Sequence, residues 1–72
     1  MEIFSQRLRE VRTRFKESQK TLGEVIDVTP SQVADMESGR RGTTLEKLAE
    51  ICRHYNVSAD YFLGLTDKAE ME

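Results

Sequence analysis

The chain has 72 residues, with 11 Lys/Arg against 13 Asp/Glu, a formal net charge of −2 and 38% hydrophobic residues. This length allows one small domain with a modest core and leaves no room for separate sensor and catalytic domains. A single cysteine excludes an internal disulfide framework and agrees with a reducing compartment; with no long apolar run and no basic hydrophobic leader, the expected location is cytoplasmic.

The charge is unevenly divided. Residues 1–44 carry eight Lys/Arg against seven Asp/Glu, and residues 45–72 carry three against six. Phosphate binding depends on where positive charge sits more than on its total, so the acidic balance does not rule out a nucleic-acid partner.

In chain order, Phe4, Leu8, Val11 and Phe15 recur at helical spacing and predict a first helix over Phe4 to Phe15. Arg12 falls at the flank of that apolar stripe, where its stem can be buried; Arg9 and Lys16 point to solvent. Ser18 then precedes a run with Leu22, Val25 and Ile26 and can cap it. Asp27 tolerates a left-handed backbone and begins a sharp turn without glycine. Thr29 followed by Pro30 opens the next helix, because threonine caps it and proline at the first helical position lacks only an N–H with no partner there. Val28 and Val33 form a hydrophobic staple across that start, and Gly39 closes the helix with a positive φ. Two helices of about eight residues joined by a tight turn, Ser18 to Gly39, make a helix-turn-helix that must be held by the rest of the chain.

Arg40, Arg41, Gly42 and Thr43 form a short basic loop. Thr43 or Thr44 caps a fourth helix, Leu45 to about Tyr55, with Leu45, Leu48, Ala49, Cys52 and Tyr55 on its inner face and Asn56 as its stop. Ser58 caps a short fifth helix through about Leu63, with Val57 and Phe62 as a staple and Gly64 as terminator. The expected architecture is all-α, one five-helix domain over 1–66 with an acidic tail, 67–72, that frays. Cys52 and His54 are two residues apart, but two ligands make no metal site; a buried thiol and a surface histidine are expected. No nucleophile with a base, glycine-rich phosphate loop or carboxylate pair supports an enzyme, and nothing suggests a cofactor or small-molecule ligand.

The joint pattern of Ser18-Gln19, Leu22-Gly23, Ile26, Val28-Thr29, Val33, Glu37-Ser38-Gly39 and the ending Val57 to Gly64 resembles the phage repressor and Cro type (XRE) helix-turn-helix family from about Arg7 to Asp67. The resemblance implies a compact repressor-like DNA-binding domain in a bacterial or phage-encoded, nucleoid-associated protein. It places the third helix in the major groove of double-stranded DNA, with Pro30, Ser31, Gln32 and Asp35 facing base edges. It assigns Ser18, Gln19, Ser38, Arg40 and Arg41 to phosphates, and Arg12 with Glu37 to a salt bridge between helices 1 and 3. Departures from the family pattern are Asp27 at the usual turn glycine, Gly23 at a usual alanine, and a helix 3 surface in which Gln32, toward adenine, is the strongest base-reading side chain.

A single recognition helix reads few base pairs, so the expected assembly is a two-fold homodimer on a palindromic operator, weak without DNA. Tyr61, Phe62 and Leu65 either complete the monomer core or pack across that interface. The alternative function is an antitoxin or antirepressor module that keeps the fold and binds protein; net acidity, Pro30 and Asp35 favour it. Gln19, Ser38, Arg40 and Arg41 favour DNA.

Overall fold

A computed structural model describes residues 1–71 as five helices: α1 Glu2–Arg14, α2 Gln19–Ile26, α3 Pro30–Ser38, α4 Leu45–Tyr55 and α5 Ala59–Phe62. Four of the five starts are set by a hydroxyl that accepts a backbone N–H three residues on: Ser18 from Thr21, Thr29 from Gln32, Thr44 from Lys47 and Ser58 from Tyr61. The stops are equally local. Asp27 (φ +59°), Asn56 (φ +56°) and Gly39 (φ +86°) all take the left-handed conformation that ends a helix.

Helices this short gain their stability from packing. Phe4, Leu8 and Val11 of α1, Leu22 and Ile26 of α2, Val33 and Met36 of α3, Leu48, Ile51 and Tyr55 of α4 and Phe62 of α5 form one buried cluster. Each fully buried aliphatic or aromatic side chain contributes about 1.5–3 kcal/mol. The whole measures 30 × 22 × 20 Å.

The structure corrects several sequence expectations. Phe15 lies just past the end of α1, is 48% exposed, and packs tilted against Tyr55, with ring centroids 5.1 Å apart, instead of entering the core. Leu45 is the first residue of α4 and 82% exposed, because the inner stripe starts one turn later; that stripe also includes Ile51, fully buried and absent from the expected set. Tyr61 and Phe62 are 7% and 0% exposed within the single chain, so neither is available to a partner, whereas Leu65 is 73% exposed. Phe62 packs edge-on against Phe4, and the Tyr61 hydroxyl donates to Glu10.

The tail does not fray over its described part. Ser58 N–H donates to the Ala69 carbonyl at 2.8 Å, Val57 and Glu70 form an antiparallel bridge, and Ala69 packs against the core. Arg7 holds it from the other side. Its guanidinium donates to the Tyr61 and Thr66 carbonyls at 2.6 and 2.7 Å and to Asp67 at 2.9 Å, and lies 4.2 Å over the Tyr61 ring. Glu72, the last residue of the predicted tail, lies outside the described residues.

Candidate nucleic-acid interface

The α2–α3 pair is assembled from short-range chemistry. Asp27 N–H and Val28 N–H both donate to the Gly23 carbonyl, which folds the chain back at the end of α2. The return is so tight that a Cβ at position 23 would sit 2.5 Å from the Val28 carbonyl oxygen, so the site requires glycine. Lys47 Nζ donates to the Ile26 carbonyl at 2.9 Å, placing a cation on the otherwise open C-terminal end of α2.

At the start of α3, Thr29 and Gln32 form a reciprocal capping box. Gln32 N–H donates to Thr29 Oγ1 at 3.1 Å, and Thr29 N–H donates to Gln32 Oε1 at 2.9 Å. The Thr-x-x-Gln spacing that makes this box is visible in the sequence and ties Gln32 to Thr29, against its expected place at a base edge. Its consequence is chemical: the Gln32 carbonyl is occupied, so a two-point pairing with adenine would require opening the cap.

The far end of α3 is fixed by one carbonyl. Asp35 O accepts the N–H groups of Gly39, Arg40 and Arg41 and the Ser38 hydroxyl, which pins the direction of the basic loop. Arg40 and Arg41 have exposed side chains, as do Ser18, Pro30, Ser31 and Ser38; Gln19, Gln32 and Asp35 are half-buried. Val33 and Met36, 0% and 1% exposed, face inward, and Ser31, Asp35 and Ser38 at i, i+4 and i+7 face away.

Behind this surface lies a charged network that locks α3 to the first two helices. Arg12 Nε donates to Glu37 Oε2 at 2.6 Å and Nη2 to Oε1 at 3.0 Å, while Nη1 donates to the Glu17 carbonyl at 2.7 Å. The Glu37 hydrogen bond holds the Arg12 guanidinium above its ordinary pKa. Gln19 Nε2 also donates to Glu37, at 3.2 Å, so the amide expected at a phosphate is shared with the bridge. Glu17 carries no recognisable signal in the sequence, yet its carboxylate accepts from Tyr55 Oη at 2.9 Å and pairs with His54 Nε2 at 2.8 Å. Burial, then Glu17, pushes the Tyr55 hydroxyl pKa up. His54 is on the surface as expected, but paired.

The motif itself is acidic. Residues 18–39 contain Lys20 against Glu24, Asp27, Asp35 and Glu37, a net of −3. Among the described residues there is no grouping of three or more His, Cys, Asp or Glu side chains placed to hold a metal; Cys52 is buried, and burial raises its thiol pKa. Among the same residues no helix is long and apolar enough to cross a membrane.

Comparison with known proteins matches residues 8–62 to the helix-turn-helix (HTH_3) family. The chain is 38% identical over 65 residues to the uncharacterized HTH-type transcriptional regulator YobD of Bacillus subtilis (strain 168), covering 90% of this chain and 58% of that protein. The chain therefore spans little more than half the length of that relative. Among solved structures, the restriction-modification controller protein C.AhdI from Aeromonas hydrophila superposes with a TM-score of 0.75 at 30% identity, covering 85% of this chain and 92% of that one. The P22 c2 repressor protein, solved in complex with a synthetic operator, superposes with a TM-score of 0.77 at 22% identity, covering 86% and 94%. At that identity the likeness concerns the fold alone.

Proposed function

The chain belongs to the helix-turn-helix family, and on that premise we propose that it is a non-enzymatic, cytoplasmic, DNA-binding transcriptional regulator, a repressor that lays α3 in the major groove. One observation carries this: the exposed polar stripe of α3 leads directly into Arg40 and Arg41, whose main chain is fixed by the Asp35 carbonyl. A phosphate-binding pair beside a reading helix needs that continuity. The regulator relative supports the same function.

Ser18, Arg40 and Arg41 take the phosphate contacts, with Gln19 contributing the amide hydrogen that Glu37 leaves free. Pro30, Ser31 and Asp35 face base edges, and Gln32 serves chiefly as the capping partner. The protein acts as a homodimer on a palindromic operator, with the two α3 helices about 34 Å apart. The dimer surface is built on the exposed Leu65, which follows Gly64 where that glycine packs beside Ile3. Such a surface is small, so association without DNA is weak.

One observation favours a second function, an antitoxin or antirepressor-type protein-binding module. That is the motif's net charge of −3, with Lys20 its single cation. Selection of bound fragments from random DNA at low salt separates the two. Enrichment of a palindrome supports the regulator, and Leu65→Asp should then weaken operator binding while leaving helical content intact. No enrichment, or enrichment of a single unrepeated site by a strict monomer in sedimentation, refutes the dimeric repressor.

A further inference from the structure

The outward stripe of α3 consists of Ser31, Ala34, Asp35 and Ser38, spaced i, i+3, i+4 and i+7. It carries no cation. The Ser38 hydroxyl hydrogen is committed to the Asp35 carbonyl at 3.0 Å, and a carboxylate accepts hydrogen bonds without donating them. Gln32, the nearest amide, sits at the flank with its oxygen tied into the cap. The Ser31 hydroxyl, at the start of the stripe, can donate or accept; from Asp35 to Ser38 the face offers acceptors, and between Ser31 and Asp35 stands one apolar group, the Ala34 methyl.

Ala34 is half-buried yet stands outside the hydrophobic cluster and outside the set of side chains packed against it. The core positions of the same helix are filled by Val33 and Met36. In the major groove, the donors that suit an acceptor face are the amino groups of cytosine and adenine, and the one apolar feature of any base is the 5-methyl group of thymine. The Asp35 carboxylate repels a phosphate, which is anionic and accepts only.

Resting on the proposal that α3 enters the major groove, we infer that Ala34 is a specificity-determining residue. It seats the 5-methyl group of a thymine next to the base whose amino group hydrogen-bonds to Asp35. The half-site thus contains an amino-bearing base adjacent to a thymine, and the discrimination at the thymine comes from apolar contact and not from hydrogen bonding.

The test uses the full chain and an operator selected by it from random DNA. Each thymine of one half-site is replaced singly by deoxyuridine, which keeps the base pair and removes the methyl. Wild-type protein should lose about fourfold in affinity at one thymine. Ala34→Gly and Ala34→Ser should show no such loss there; taking the thymine-to-uracil ratio within each variant cancels any change in its stability. A ratio of one at every thymine for the wild type, an operator without thymine in its half-site, or a ratio unchanged in both variants overturns the inference while leaving DNA binding intact. Failure of the wild type to select any sequence overturns the DNA-binding proposal itself, and this inference with it.

Discussion

Replacing Arg12 by Ala tests whether α3 is held by the charged network or only by apolar packing. The Arg12 and Glu37 side chains are 12% and 4% exposed, and two hydrogen bonds of 2.6 and 3.0 Å join them. Removing one member of a pair buried this far costs about 3–5 kcal/mol, because the remaining charge stays desolvated without its partner. Gln19 Nε2 still donates to Glu37 at 3.2 Å, and one such hydrogen bond returns about 1 kcal/mol. The Glu17 carbonyl loses its donor as well, which works in the opposite direction. The net expectation is about 3 kcal/mol, and at about 4–8 °C per kcal/mol for a domain of this size the thermal midpoint falls by about 12–24 °C. Arg9→Ala, a change at an exposed position of the same helix, should stay within about 0.5 kcal/mol of wild type. The paired replacement Arg12→Met with Glu37→Met should be less destabilised than Arg12→Ala alone, since no charge is left stranded. Thermal and urea unfolding followed by circular dichroism measure all three. Equal midpoints for Arg12→Ala and Arg9→Ala would refute this account, as would a double variant less stable than Arg12→Ala.

Arg40→Ala with Arg41→Ala should weaken binding to all DNA sequences alike and flatten the log–log salt dependence by about one to two units, with an unchanged melting temperature because both side chains are exposed; an unaltered slope in a fluorescence anisotropy titration would reject the phosphate contacts. Gly23→Ala should destabilise the domain despite alanine's better helix propensity, because its Cβ meets the Val28 carbonyl at 2.5 Å, and a raised urea midpoint would show that the turn yields. Tyr55 has its pKa raised in the folded state, first by burial and then by Glu17, so its hydroxyl stays protonated when the unfolded chain ionises near its ordinary value. The stability this represents is fully present below about pH 10 and is lost as pH rises above it. Tyr55→Phe should accordingly show a shallower alkaline loss of stability in urea midpoints collected from neutral to high pH, and identical slopes for the two proteins would remove Tyr55 as the cause.

Much of the fold is legible in the sequence because its punctuation is local. Ser18, Thr29, Thr44 and Ser58 act on N–H groups three residues away, and Asp27, Asn56 and Gly39 act on their own backbone, so each signal lies within one turn of its effect. The misplaced residues lie at helix ends, where periodicity no longer tells direction: Phe15 past α1 and Leu45 at the first position of α4. What could not be read is tertiary. Glu17 meets His54 and Tyr55 across 37 and 38 residues, and no spacing rule joins a turn carboxylate to a helix so distant in sequence. Tyr61 and Phe62 had the composition of an interface, but a chain this short needs them for its own core. At the candidate site, the exposed set Ser31, Arg40 and Arg41 was recoverable from the motif; the engagement of Gln19 by Glu37 and of Gln32 by Thr29 shows only in three dimensions.

The clasp made by Arg7 also bears on the order of events in folding. It joins residue 7 to partners 54, 59 and 60 positions away, nearly the whole length of the chain. Closing so large a loop costs entropy that must be met before the contact gives anything back, whereas the α2–α3 turn closes across only a few residues. The clasp is therefore expected to form late in folding, and Arg7→Ala should speed unfolding while leaving the folding rate nearly unchanged. Interactions absent from the transition state act on the rate of opening and leave the rate of folding nearly untouched. On that expectation Arg7 is a kinetic lock, one that lengthens the lifetime of the assembled domain without helping the chain to find it.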